Sequence, residues 1–171
     1  MKALCTTGVT KIYLKPEKVY WCGCPCSITT ILGSCLSVTM YHPSTGMAAV
    51  CHAVLPKYRS SYNKGLSAFV DTSIAWMLDQ FTSKRITKKE IEVKIFGGSA
   101  MFDQENQKGY TANVGSANIE TARNCLEKSG IKIKAWDVGG NLGRKMIFDT
   151  ATGDILIKKV EKTAIREASF G

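Results

Sequence analysis

The sequence predicts an α+β fold in which antiparallel β-sheets form a sandwich flanked by helices. Short stretches of alternating apolar and polar residues recur along most of the 171 residues, which is typical of half-buried strands. Two longer segments instead place apolar residues three and four positions apart, as amphipathic helices do. We expect about eight strands and two main helices, in a single domain covering residues 1–171.

The first strands precede a loop that contains glycine and proline. Residues 9–14 and 19–21 are short β-like runs. The segment CGCPCS at 22–27 is predicted to be a loop, because Gly23 and Pro25 interrupt a strand ladder.

A β-hairpin is predicted to follow. Residues 36–41 alternate between apolar and polar side chains, as a half-buried strand does. The sequence HPSTG at 42–46 indicates a turn, and residues 47–55 form a second, more apolar strand.

The second half of the chain holds both helices. Apolar residues at helical spacing run from Leu66 to Phe81, and residues 116–129 form another helix, with Gly130 placed to end it. The remaining strands are predicted at residues 91–95, 131–135, 145–149 and 154–160.

Composition favours a cytoplasmic protein with an acidic partner. The N-terminal residues contain no signal-peptide pattern, and no window approaches the roughly 18 apolar residues of a membrane span. The chain has 23 Lys and Arg against 14 Asp and Glu, a net charge of +9 that steers acidic molecules towards it. Because the basic residues are dispersed and no RNA-binding signature is present, an acidic protein surface is at least as good a candidate as nucleic acid.

The cysteines are expected to be free thiols. Their odd number and the reducing environment of a cytoplasm argue against disulfides. Cys22, Cys24 and Cys26 are too closely spaced for a CxxC zinc site and lack a second ligand cluster, so a plain loop is favoured over a metal site. The seven cysteines are at positions 5, 22, 24, 26, 35, 51 and 125.

Cys35 is the candidate nucleophile. It follows Gly33 and Ser34, a turn whose backbone N–H groups could converge on an oxyanion. A hairpin loop at 42–45 would place Cys35 directly opposite His52, with Cβ atoms roughly 4.5–5.5 Å apart. A thiolate–imidazolium pair is then expected, in which the histidine lowers the pKa of the thiol.

The imidazole of such a pair needs a third group that holds its tautomer and orientation. Thr29 and Thr30 both offer a hydroxyl just upstream of Cys35, and the residues alone do not choose between them. The glycine-rich segments FGGSAMF at 96–102 and DVGGNLGRK at 137–145 are predicted to be turns at strand ends, since neither has a phosphate-binding pattern.

The chain resembles the chemoreceptor glutamine deamidases of bacterial chemotaxis, the CheD family, from about Gly8 to Val160. The order and spacing of several segments carry the resemblance. These segments are LGSCLSVTMYHP, GMAAVCHAVLP, VKIFGGSAMF and IKIKAWDVGGNLGRKMIFDTATGDILIKKV.

The resemblance implies a catalytic set of Cys35, His52 and Thr29, in which the threonine lies six residues before the cysteine. It also implies a fold similar to that of the cytotoxic necrotizing factor deamidating toxins and a reaction that requires no metal or organic cofactor. The implied substrates are glutamines in the cytoplasmic part of methyl-accepting chemoreceptors. A CheC-type phosphatase, which dephosphorylates the CheY response regulator, is the implied partner.

Two departures from the family pattern concern local contacts. Ala117 in VGSAN stands where the family tends to have an arginine, and CGCPC is not a family feature. The alternative function is a non-catalytic adaptor that binds receptors or the CheC-type phosphatase. A nucleic-acid-binding module is a more distant alternative.

Overall fold

Nine strands and two α-helices make up the described part of the computed structural model, which covers residues 9–100 and 114–161. The helices are α1 (Val70–Ser83) and α2 (Val114–Lys128), and a short 3-10 turn, Leu66–Ala68, precedes α1. The strands are β1 (Thr10–Tyr13), β2 (Lys18–Cys22), β3 (Cys26–Leu32), β4 (Leu36–His42), β5 (Met47–His52), β6 (Glu92–Gly97), β7 (Ile133–Val138), β8 (Gly143–Asp149) and β9 (Ile155–Val160).

The strands form two sheets. The first sheet has the order β1-β3-β8-β9, and the second has the order β2-β5-β4-β6-β7. Most neighbouring strands are antiparallel, as predicted, but β1 pairs with β3 and β6 pairs with β7 in parallel. The second parallel pair follows from connectivity, because α2 carries the chain from β6 back to the start of β7, as a crossover helix does.

Two apolar cores separate three layers. One core lies between the two sheets, and the other lies between the second sheet and the helices. Strand β4 contributes to both cores, since Leu36, Val38 and Met40 face the helices whereas Tyr41 faces the first sheet. All of its residues are consequently buried. The α+β prediction, a sandwich flanked by helices, is confirmed.

Element boundaries differ from the sequence predictions at three places. Helix α1 begins at Val70 rather than near residue 66, because Phe69 has an extended backbone (φ −108°, ψ 143°) that separates it from the 3-10 turn. The predicted loop at 22–27 is wrong at both ends, since Cys22 closes β2 and Cys26 opens β3. Strand β3 itself was not predicted as an element.

The hairpin of β4 and β5 also has a different register from the predicted one. His42 pairs with Met47, so the four-residue loop comprises 43–46 rather than 42–45. Gly46 has a φ of +71°, a left-handed conformation that belongs to the turn and not to a strand. Every cross-strand pair is therefore shifted by two positions.

This shift changes the predicted relation between Cys35 and His52. Leu36 bridges to Ala53, and continuation of this register puts Ser37, rather than Cys35, opposite His52. The prediction that Cys35 and His52 lie directly opposite each other is wrong. Because the shift is an even number of residues, both side chains stay on the face of the second sheet that looks towards the first sheet.

Among the described residues, no helix is both long enough and apolar enough to cross a membrane.

We expect Leu126→Ala to destabilise the fold, because Leu126 is fully buried in the core between α2 and the second sheet. The expected loss is about 2–5 kcal/mol of unfolding free energy, measured by urea denaturation. Leu156→Ala is the matched control, since Leu156 is 66% exposed on β9. Its effect should stay within about 0.5 kcal/mol. Equal losses in the two variants would contradict the assigned core.

Candidate active site

Gly33, Ser34 and Cys35, here named the Cys35 loop, carry the chain from β3 in the first sheet to β4 in the second. Cys35 is partly buried and packs against the core between the sheets. The loop therefore presents its cysteine at one end of the sandwich, where the two sheets are joined.

The residues after β6 hold the ends of the Cys35 loop from behind. The carbonyl oxygen of Gly33 accepts hydrogen bonds from the backbone N–H of Ser99 at 2.9 Å and from its hydroxyl at 2.7 Å. The carbonyl oxygen of Cys35 accepts a hydrogen bond from the N–H of Gly98 at 2.7 Å. These hydrogen bonds hold the loop in place through its carbonyl oxygens.

Gly97 makes this close support possible. Its φ is +106°, and a Cβ atom there would collide with the carbonyl oxygen of Cys35. The segment FGGSAMF was predicted only as a strand-end turn, and its role in supporting the loop was missed. Two consecutive glycines at a strand end were the signal for a close backbone approach. Met101 and Phe102 of that segment lie outside the described residues.

The donors of the loop face in other directions. Within residues 9–100 and 114–161, the backbone N–H groups of Ser34 and Cys35 donate no hydrogen bond to another residue. Adjacent N–H groups that donate to no other residue, beside a thiol, have the chemistry of an oxyanion site. The predicted role of Gly33 and Ser34 in such a site stays a prediction.

His52 lies at the end of β5, buried and facing the first sheet. Its Nδ1 is 2.7 Å from Thr30 Oγ1, and that oxygen is 2.7 Å from the carbonyl oxygen of Leu14. A carbonyl only accepts, so the single hydroxyl proton of Thr30 goes to Leu14. Thr30 then accepts the hydrogen bond from the Nδ1–H of His52, and the lone pair of the ring is on Nε2.

Burial keeps this imidazole neutral. It lowers the pKa of His52 to about 4, an effect that the Leu14 carbonyl partly opposes. At neutral pH the ring is thus uncharged, and Nε2 is an unprotonated base.

Thr30, and not Thr29, is the threonine that contacts His52 in the structure. Successive residues of β3 point to opposite faces, and Thr30 is fully buried towards the second sheet. Thr29 is half-buried on the other face. The expectation that Thr29 orients the imidazole is therefore wrong, because the face of β3 that meets the second sheet carries Thr30.

The Cys35 thiol is protonated in the resting site. Burial raises the pKa of Cys35 to about 11, with a smaller contribution from the negative charge of Glu17, whereas the N–H of Cys35 itself opposes the rise. No hydrogen bond joins Cys35 to His52 in the described residues. The prediction of a thiolate–imidazolium pair is therefore not met in the resting site, which holds a neutral thiol and a neutral imidazole.

Three buried polar side chains of the described residues each have an atom without a hydrogen-bond partner. In the described part of the chain, the buried side-chain nitrogen and oxygen atoms without a hydrogen-bond partner are Ser37 Oγ, His52 Nε2 and Asn118 Oδ1. Ser37 lies opposite His52, and the side-chain amide of Asn118 contacts the carbonyl oxygen of Ser34 at 3.1 Å. Buried polar atoms without partners are rare in folded proteins, and the unpartnered Nε2 of His52 is open to accept a proton.

The CGCPC cysteines lie at the other end of the sandwich. Cys22 pairs with Ala48, the far end of β5 from His52, and the sulfurs of Cys22 and Cys26 are 3.7 and 3.4 Å from the Thr150 hydroxyl. No cluster of three or more possible metal ligands occurs within residues 9–100 and 114–161. The six cysteines described there form no disulfide, and Cys5 lies outside the described residues.

Ala117 lies at the Cys35 end of the molecule, because its neighbour Asn118 contacts the carbonyl oxygen of Ser34. It lines a cavity of about 180 Å³ together with Lys57, Arg59 and Glu120. The position where the family tends to have an arginine is thus next to charged residues of both signs.

Cys35 and His52 lie at the same end of the sandwich on the same face of the second sheet, and a cysteine with a histidine that a hydroxyl holds in one tautomer is the set of groups that enzymes of nucleophilic cysteine chemistry use on carbonyl groups. The CheD family model, described as CheD chemotactic sensory transduction, matches residues 54–159. A Geobacter sulfurreducens protein named "Probable chemoreceptor glutamine deamidase CheD 2" is 42% identical over 155 residues, which cover 89% of this chain and 91% of that protein. The chain belongs to the CheD family.

Other proteins are similar to this chain to different degrees. A Maridesulfovibrio salexigens protein named "Probable chemoreceptor glutamine deamidase CheD" is 32% identical over 162 residues, covering 91% of this chain and 95% of that protein. The crystal structure of the Bacillus licheniformis hypothetical protein YfiH matches with a TM-score of 0.47 and 12% identity, over 72% of this chain and about half (51%) of that chain.

The family model begins after His52, but the alignment with the Geobacter sulfurreducens protein covers 89% of the chain and so includes both Cys35 and His52.

We expect Thr30→Val to disturb the tautomer of His52, since it removes the oxygen that accepts the Nδ1–H. Nitrogen NMR of the imidazole should show protonation of Nδ1 in the wild type and a mixture of tautomers in the variant. The lost buried hydrogen bond should also cost about 1–3 kcal/mol of unfolding free energy. Thr29→Val is the matched control and should leave the imidazole signals unchanged. The assignment fails if Thr29→Val, rather than Thr30→Val, shifts them.

We expect the rate of alkylation of Cys35 by iodoacetamide to rise steadily from pH 7 upwards, with no plateau below about pH 9.5. The rate for an ordinary thiol, with a pKa near 8.5, would level off by about pH 9.5. The raised pKa of Cys35 keeps the reactive thiolate scarce at neutral pH. Peptide mapping by mass spectrometry separates Cys35 from the other cysteines. A plateau near neutral pH would instead indicate a preformed thiolate–imidazolium pair.

Proposed function

We propose that this protein is a chemoreceptor glutamine deamidase, which converts side-chain amides of glutamines in methyl-accepting chemoreceptors to glutamate. Membership of the CheD family and the names of its relatives support this activity. The observation that carries the chemistry is the buried, neutral and unpartnered Nε2 of His52, whose ring Thr30 holds through Nδ1.

The reaction starts from the neutral pair. Nε2 of His52 takes the proton of the Cys35 thiol as the sulfur attacks the carboxamide carbon of the substrate. The proton moves during attack, since burial disfavours both charged forms beforehand. The hydrogen bond between thiol and imidazole forms when the substrate is bound, because catalytic contacts often tighten only in that complex.

The carboxamide oxygen becomes negatively charged in the tetrahedral intermediate. The N–H groups of Ser34 and Cys35 stabilise this charge, and Gly33 gives the turn its flexibility. The carbonyl groups of the loop are already held on its other side by Ser99 and Gly98, so the donors need little rearrangement.

The intermediate then collapses with release of ammonia. The His52 imidazolium gives its Nε2 proton to the departing nitrogen and leaves a thioester on Cys35. His52 next removes a proton from water, which attacks the thioester carbon, and the products are glutamate and the Cys35 thiol. Thr30 accepts the Nδ1–H throughout and so holds the ring in place.

The net charge of +9 supports an acidic substrate surface, and the cytoplasmic part of the chemoreceptors is the surface we propose. This proposal places the protein in the cytoplasm. A complex with a CheC-type phosphatase is proposed from the family resemblance.

We expect Cys35→Ala to abolish deamidation and His52→Ala to slow it by about 10²–10⁴-fold, the usual contribution of a general base. Mass spectrometry of receptor fragments measures the conversion of amide to acid. The matched controls are Cys125→Ala and His42→Ala, since both residues lie outside the proposed mechanism. Both controls should deamidate like the wild type.

Two outcomes would overturn the proposed function. Deamidation at the wild-type rate by Cys35→Ala and His52→Ala would exclude the mechanism. A wild-type protein that binds receptors but converts no glutamine would instead act as an adaptor.

A further inference from the structure

We propose that Asn118 is a positioning residue, which aims the backbone N–H of Cys35 at the substrate oxygen by holding the carbonyl group of Ser34. Its consequence for catalysis rests on the proposed function. The hydrogen bonds of Asn118 on which the proposal depends are present without a substrate.

Asn118 lies near the start of α2 and is completely buried. Its Nδ2 donates a hydrogen bond to the carbonyl oxygen of Ser34 at 3.1 Å and a longer one to that of Val54 at 3.4 Å. Val54 follows His52 by two residues. A single side-chain amide thereby joins the segment that carries Cys35 to the segment that carries His52.

The orientation of this amide follows from its neighbours. Both contacts on the Nδ2 side are carbonyl oxygens, which only accept hydrogen bonds. With the amide rotated by half a turn, Oδ1 would face these two oxygens and repel them. Oδ1 therefore points away from them, and it has no partner among residues 9–100 and 114–161.

A peptide unit is planar and trans, so its C=O and N–H point in opposite directions. The carbonyl of Ser34 and the N–H of Cys35 belong to one such unit. Asn118 holds the carbonyl from behind and so fixes the opposite direction for the N–H. Ser99 acts in the same way on the preceding unit, which contains the carbonyl of Gly33 and the N–H of Ser34. The direction of each proposed oxyanion donor is therefore fixed by the hydrogen bond to the carbonyl group of the same peptide unit.

The close approach of α2 depends on two glycines. A Cβ atom on Gly115 would lie 2.7 Å from the carbonyl oxygen of Gly98, and a Cβ atom on Gly98 would lie 2.6 Å from the side chain of Ile119. Because neither residue has a Cβ atom, the helix backbone rests directly on the residues that support the Cys35 loop. Asn118, three residues after Gly115, then reaches the Ser34 carbonyl.

The test compares Asn118→Ala with the wild type in three measurements. These are kcat and KM for the deamidation of receptor fragments, the alkylation rate of Cys35, and the amide proton and nitrogen NMR shifts of Cys35. Loss of one oxyanion donor costs about 10²–10³-fold in kcat, so loss of its orientation should cost about 10–100-fold. KM and the alkylation rate should change by less than about threefold, because neither substrate binding nor alkylation develops an oxyanion.

Matched variants separate positioning from general damage to the helix. Asn124→Ala removes an exposed asparagine from the same helix and should keep the wild-type kcat. Ser99→Ala removes a hydroxyl but keeps the backbone N–H that holds the Gly33 carbonyl, so its kcat should fall far less than that of Asn118→Ala. Should Asn118→Ala fail to fold, Asn118→Ser replaces it, since its shorter hydroxyl cannot make the same contact.

Three results would overturn the assignment. The first is a kcat of Asn118→Ala within about threefold of the wild type. The second is a parallel fall in kcat and in the alkylation rate, which would show that Cys35 itself is displaced. The third is an unchanged NMR shift of the Cys35 amide. The NMR shift needs no substrate. An inactive wild-type protein would therefore refute the proposed function, while the shift would still decide the role of Asn118.

Discussion

The hydrogen bond between Thr30 and His52 spans the two sheets of the sandwich, and the chemistry of the site depends on it. Thr30 belongs to the first sheet and His52 to the second, so their contact exists only when the sheets pack face to face. The Leu14 carbonyl takes the hydroxyl proton of Thr30 and thereby decides which ring nitrogen carries hydrogen. Packing of the sheets thus selects the tautomer in which Nε2 can accept a proton.

The same packing sets the protonation states. An exposed cysteine and an exposed histidine would readily exchange a proton near neutral pH, whereas burial here raises the pKa of Cys35 and lowers that of His52. Both groups rest uncharged as a result. Such a pair holds no exposed thiolate, and a protonated thiol is oxidised less readily than a thiolate.

The Cys35 loop is held through its carbonyl groups by residues from other parts of the chain. The segment after β6 and the side chain of Asn118 together engage the carbonyl oxygens of Gly33, Ser34 and Cys35. Acceptors held in this way leave the N–H groups on the opposite side of the same peptide planes. Residues far apart in sequence therefore shape a three-residue turn whose own sequence specifies little beyond flexibility.

The sequence by itself determined the local periodicities and made Cys35 and His52 the candidate nucleophile and base. Alternation of apolar residues identified β4, an apolar run after a turn identified β5, and helical spacing identified α1 and α2. The left-handed Gly46, which moves the hairpin register by two residues, is a backbone conformation that glycine permits but does not require. Only the tertiary structure decided which face of β3 meets the second sheet, and hence that Thr30 rather than Thr29 contacts His52. The neutral thiol and imidazole and the reach of Asn118 were likewise decided there, since burial and contact between distant segments arise only when the layers assemble.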